Sequence, residues 1–191
     1  MERLVESMDK LVERIDQFFE RIKQMNVVKV FLIAWVINFI WTVFIAIIVY
    51  LTGAEISQNV ASSSEFTNSF LLLPFAAVAE EIIFRWSPMI ILTLALTYAF
   101  KQGKLSKDQY FYFEKRCMLA LVVISSIIFG WVHGSFFNIL MQGASGAIMY
   151  IIYLRAFFIE RDRGVRDRWQ IVPLVEATLY HSMANAFLIF L

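Results

Sequence analysis

Acidic, basic and histidine side chains are rare inside the long apolar runs of this 191-residue sequence. They are Glu80, Glu81, Arg85, His133, Arg155, Glu176 and His181, with Asn185 beside the last; both histidines of the chain are among them. An ionisable group in such company costs several kcal/mol unless it is paired or wetted, so each needs a partner or a purpose. Glu81 and Arg85 stand four apart, share a helical face and can pair. Glu80 is turned about 100° away, which leaves its carboxylate for another partner. His181 and Asn185 repeat the spacing of four and present an imidazole and an amide on one face. Phe129 and His133 do the same, with the ring backing the imidazole. A free carboxylate beside an imidazole can hold and deprotonate a water. A second imidazole and an amide can then stabilise the oxyanion that forms when this water attacks a carbonyl. The plainer reading of the same residues is a buried ion pair with interhelical hydrogen bonds as glue. Covalent catalysis has less to work with: Cys117 is remote from the cluster in sequence, and no serine sits in a G-x-S-x-G turn. No cofactor is called for. Carboxylates and imidazoles are zinc ligands, so a metal at the Glu/His cluster stays open, although no H-E-x-x-H spacing is present.

The elements that must position these groups belong to a membrane protein. Sixty per cent of the residues are hydrophobic and only 17% are charged. A net charge of +1 argues against a nucleic-acid partner, which calls for a marked basic excess. The single cysteine excludes an intrachain disulfide framework. The leader, residues 1–26, reads as an amphipathic helix in which Leu4, Met8, Leu11, Ile15, Phe18, Ile22 and Met25 form an a/d seam. Its polar face is nearly balanced in charge, unlike the Lys/Arg-rich face of an anionic-membrane binder. It therefore lies on the bilayer, folds back on the chain's own loops, or pairs with a second copy as a homodimer. Apolar runs follow at residues 30–51, 69–100, 117–133, 139–159 and 171–191, several near the roughly 20 residues that cross a bilayer. Lysine and arginine gather before the first run, in residues 101–116 and in residues 160–170. The positive-inside rule puts those segments and the N-terminus in the cytoplasm and the C-terminus outside. As one helix, residues 69–100 would be roughly 50 Å long against a hydrocarbon core of about 30 Å. Pro88 supplies a break, and Ser69 to Ala79 is expected to re-enter or lie at the interface. The fold class is thus an all-α polytopic helical bundle of five to six membrane segments, one broken or re-entrant, with residues 27–191 as the membrane-embedded domain.

Glu80-Glu81-Ile82-Ile83-Phe84-Arg85 resembles the E-E-x-x-F-R motif of the CAAX protease and bacteriocin-processing family. Phe129 to His133 is similar to its F-x-x-x-H motif, and His181 to Asn185 to its H-x-x-x-N motif. The three occur in the family's order, on separate predicted spans, across roughly the last two-thirds of the chain. The resemblance implies a glutamate-dependent intramembrane endopeptidase in a prokaryotic cell membrane, acting on a peptide or protein tail. It implies that Glu80 and His133 activate water, that His181 and Asn185 polarise the scissile carbonyl, and that Glu81 and Arg85 position the site. One departure is Trp86, where family members commonly have glycine; a bulky ring there would narrow the cavity.

Arg155 and Glu176 match none of the motifs and are expected to form a structural pair or to snorkel. Gly143 and Gly146 are expected to let helices approach closely. Two other functions compete: an immunity or scaffold protein that keeps the fold without catalysis, and a transporter or proton path. The latter lacks a visible internal repeat.

Overall fold

A computed structural model of the chain describes residues 2–53, 73–134, 136–164 and 169–189. These residues are all helical or turn. The elements are α1 (Glu2–Lys23), α2 (Val27–Thr52), α3 (Leu73–Glu81), a π-helical turn (Ile82–Trp86), α4 (Ser87–Lys101), α5 (Lys107–Val132), α6 (Phe136–Asp162) and α7 (Ile171–Ile189). Because α3, the π-turn and α4 run on without a gap, the described residues make six helical rods. Among the described residues four stretches are long and apolar enough to cross a membrane: Val27–Thr52, Phe75–Lys101, Lys107–Val132 and Phe136–Asp162. Most of the residues on α2 are exposed apolar side chains, as on a helix that faces lipid, whereas α6 is half buried and forms the centre of the bundle. The polar loop expected before Ser69, residues 69–72 themselves, and Arg166 and Arg168 lie outside the described residues.

The expected break at Pro88 is absent. Proline lacks an N–H and its ring crowds the carbonyl four residues back. Here the strain is taken up one turn earlier, where the Ser87 N–H bonds to Ile82 O, five residues back, and the helix widens into a π-turn. The carbonyl that Pro88 cannot serve is that of Phe84, and Ser125 of α5 donates its hydroxyl to that oxygen. A π adjustment combined with a neighbour's serine is a known way to keep proline inside a membrane helix. Residues 73–79 consequently continue the same helix rather than re-entering, and Ala77 is fully buried.

α5 also starts ten residues earlier than its apolar run. Ser106 accepts from the Gln109 N–H and the Gln109 side chain accepts from the Ser106 N–H, a reciprocal capping box. Much of the basic, aromatic stretch before that run is therefore helix.

The leader folds back on the bundle. Phe19 packs edge-on against Phe158 with ring centroids 5.1 Å apart. Lys115 of α5 pairs with Asp16, and Lys23 pairs with Asp162 of α6. Arg155 closes the arrangement: its Nε donates to Ile22 O at 3.1 Å and its Nη2 to Met25 O at 2.8 Å, while Nη1 meets Glu176 at 3.0 Å. A guanidinium complements the negative end of a helix; Ile22 O also accepts from the Met25 N–H, at 3.2 Å. The expectation of a structural Arg155–Glu176 pair holds, with the leader as a third party to it. Of the seam, Ile22 is buried and Ile15 lines an apolar cavity between α1, α5 and α6, so this face is used within the chain. The side chains of Leu4, Met8 and Leu11 lie outside the described ones.

Candidate functional site

Glycine sets the distance at which the site-bearing helices meet. A Cβ on Gly130 of α5 would stand 2.5 Å from the Ile139 Cα and 2.8 Å from the Asn138 oxygen, so α5 and α6 touch backbone to backbone. A Cβ on Gly143 would lie 2.9 Å from Ser126 O, which repeats the contact one step along. Small residues that let membrane helices approach in this way are the general rule. At Gly146 a Cβ would press on the Phe129 ring at 3.1 Å and on Arg85 Nη2 at 3.5 Å. The glycine expectation for positions 143 and 146 therefore holds, and Gly146 is itself part of the site.

Glu81 and Arg85 are both almost wholly buried, at 0% and 1% exposure. Arg85 Nη1 donates to Glu81 Oε1 at 2.6 Å, the pairing that the spacing of four predicts. Arg85 Nη2 reaches Gly146 O at 3.4 Å, and the guanidinium carbon lies 4.9 Å above the centre of the Phe129 ring. A desolvated cation over an aromatic face is favourable. The same Glu81 Oε1 also meets His181 Nδ1 of α7 at 2.9 Å. Since a carboxylate oxygen accepts, Nδ1 carries the proton and the Nε2 edge of His181 turns toward Glu80. Glu80 Oε2 stands 3.4 Å from that Nε2. Arg85 is the fixed cation against the buried Glu81 carboxylate, and a buried charge left without such a partner is expensive.

His133 caps the C-terminal end of α5. Its Nδ1 donates to Phe129 O at 2.6 Å. That bond fixes the tautomer and leaves Nε2 as an acceptor, the form of imidazole that can take a proton. Phe129 joins the parts: its ring lies 4.6 Å from that of His133, 6.1 Å from that of His181 and 5.2 Å from that of Phe84. The Asn138 side chain donates to the His133 carbonyl and holds the α5–α6 corner.

The structure thus brings Glu80, Glu81, Arg85 and His181 into direct contact and adds His133 through Phe129. It does not bring Glu80 onto His133; Glu80 meets His181 instead. The reason is where the groups sit, since His133 lies at the very end of α5 and is held back by its own backbone. Asn185 lies one turn beyond His181 on α7, half-buried and without a hydrogen bond to a described residue. Among the described residues no group of three or more His, Cys, Asp or Glu is arranged to hold a metal.

Two contributors escaped the reading of the sequence. Ser125 secures the proline-containing turn that carries Arg85, and the orphan carbonyl that any mid-helix proline creates was the clue. Trp86 has a part as well: its indole N–H donates to Trp169 O just before α7, and its ring packs on the cluster of Met89, Met118 and Tyr150. Trp86 thereby ties the π-turn to the start of the helix that bears His181. Compared with protein-family models, curated proteins and solved structures, the chain has no match.

Proposed function

We propose that this chain is a glutamate-dependent intramembrane endopeptidase that cleaves a peptide or protein tail. The observation that carries the reading is the convergence of Glu80, Glu81, Arg85 and His181 from α3, the π-turn and α7 into one network beside a histidine whose Nε2 is an acceptor. Glu80 is the more open carboxylate, 31% exposed at its side chain against 0% for Glu81, and is the one a water can reach. In this reading Glu80 takes a proton from the attacking water, with His133 Nε2 as its helper. His181, held by Glu81 and acting as the imidazolium, donates from Nε2 to the developing oxyanion, and Asn185 adds its amide from the next turn. The water oxygen bonds to the carbonyl carbon, the C–N bond breaks, and the amine leaves with the proton that Glu80 took. Arg85 keeps Glu81 charged and in place. The protein sits in a prokaryotic cell membrane with the leader in the cytoplasm and the site in the outer half, because the lysine- and arginine-rich segments share the leader's end of the bundle.

Full burial of Glu81, Arg85 and His181 is also what a purely structural lock would show, and it favours a second reading, a non-catalytic immunity or scaffold protein of the same fold. Substitutions at Glu80 and His133 separate the two. Glu80→Gln and His133→Ala proteins should accumulate in membranes as the wild type does, while the products of cleavage disappear from the peptide profile. Turnover retained in both variants would sink the enzymatic reading. Protection of cells that survives both would support the scaffold.

A further inference from the structure

A second cavity, of about 730 Å³, opens at the leader's end of the bundle between α4, α5, α6 and the start of α7. Its size is that of a ligand site. It is long as well as wide: from Ile90 to Lys101 along α4 is eleven residues, roughly 16 Å at helical rise. The end toward Ile90 is mainly apolar, with Ile90, Leu94 and Pro173; the two polar groups beside them, Gln170 and Thr93, are bonded to each other at 3.3 Å. Leu94 is 64% exposed and Phe111 42%, so the wall between α4 and α5 faces the hydrocarbon side and is open to it.

Charge is concentrated at the other end. Glu114 and Glu160 line the mouth but are both engaged, Glu114 with Arg161 at 3.0 Å and Glu160 with Arg163 at 3.5 Å. Lys101 and Lys107 also line it and have no acidic partner among the described residues. The uncompensated charge of the mouth is therefore two ammonium groups at the level where a membrane helix meets the interface. Thr97 and Tyr110 also line the cavity, and the Tyr110 hydroxyl meets Glu114 at 3.5 Å.

We propose that this cavity binds an anionic phospholipid, with its phosphate between Lys101 and Lys107 and an acyl chain lying toward Ile90. A basic mouth at the membrane surface attracts an anionic head. An apolar depth open to the bilayer takes a chain. A free phosphate would use only the first of these, and a zwitterionic lipid would bring its own cation against Lys101 and Lys107. The site stands apart from the Glu80 cluster and does not depend on what that cluster does.

The test is native mass spectrometry of the full chain released from nanodiscs of mixed phosphatidylglycerol and phosphatidylcholine. Wild type should retain phosphatidylglycerol in preference to phosphatidylcholine, and excess inorganic phosphate should not displace it. At about fivefold per lysine, the double variant Lys101→Gln/Lys107→Gln should lose roughly thirtyfold in retention. Lys104→Gln, in the same turn but off the cavity, should lose nothing. Leu94→Trp, which fills the apolar wall, should weaken retention with the lysines intact. All three variants change exposed side chains, so folding is not at stake. The proposal is overturned if Lys104→Gln costs as much as the double variant, if both lipids are retained equally, if phosphate alone displaces the lipid, or if Leu94→Trp has no effect.

Discussion

Replacing Arg85 by methionine removes the cation from a network in which Glu81 is wholly buried. Methionine is close in length and apolar, so it fills the space under Phe129 and isolates the electrostatic loss. Glu81 would keep one partner, His181, and lose both the 2.6 Å ion pair and the charge that balances it. Breaking a buried pair from one side costs about 3–5 kcal/mol, because the surviving charge is left uncompensated. At about 2–4 °C per kcal/mol for a chain of this size, the midpoint of thermal unfolding should drop by roughly 6–20 °C. The double variant Arg85→Met/Glu81→Gln removes the charge from both sides. Its glutamine oxygen can still accept from His181 Nδ1, so most of the stability should return, to within about 1–2 kcal/mol of wild type. Activity should not return, because His181 would no longer be held by a carboxylate. Unfolding followed by tryptophan fluorescence in mild detergent, run on both variants and on Glu81→Gln alone, measures the coupling. A double variant no more stable than Arg85→Met would refute the claim that charge balance, rather than packing, is what Arg85 supplies.

Other consequences can be checked with the same preparation. Ser125→Ala should cost about 1–3 kcal/mol by orphaning the Phe84 carbonyl, and adding Pro88→Ala should recover it by restoring a backbone donor, as unfolding midpoints would report. Gly130→Ala forces a Cβ into the Ile139 backbone and should destabilise by about 1–3 kcal/mol, while Gly164→Ala, with open space around it but a left-handed backbone, should cost less than about 2 kcal/mol. The leader's attachment should respond to pH in one direction. Burial works against the Lys23 ammonium, but Asp162 and Glu20 outweigh it and hold its pKa above the ordinary lysine value. A raised pKa stabilises the folded state below the ordinary value and loses that contribution as pH climbs through the folded one. Protease protection of the leader should thus be flat from pH 7 to about 10 and fall above it.

How much of this was legible in the sequence depends on range. The Glu81–Arg85 pair is a local fact of spacing and was readable at once, as was the amphipathic leader. The capping box at Ser106 and Gln109 was readable too, but the lysines and aromatic residues around it masked a helix start as a loop. What could not be read were partners a hundred residues apart. Glu80 had two histidines to choose between, and the choice of His181 follows from the packing of α3 on α7, while His133 is held at the end of α5 by its own backbone. Proline announced an irregularity at residue 88, yet whether a helix breaks or bulges is decided by Ser125 on another element. Arg155 was read as pairing with Glu176, and its grip on the leader's last carbonyls needed the fold to be seen.

The central claim is that a water, activated at Glu80, ends up in a cleaved peptide. Proteoliposomes of the purified chain, given a membrane-peptide extract in heavy-oxygen water, address it directly. Wild type should release peptides whose new C-terminal carboxylate carries one heavy oxygen. Glu80→Gln proteoliposomes, with the protein folded and inserted to the same extent, should release none of them. The same labelled peptides from both preparations, or none from either, would contradict the account.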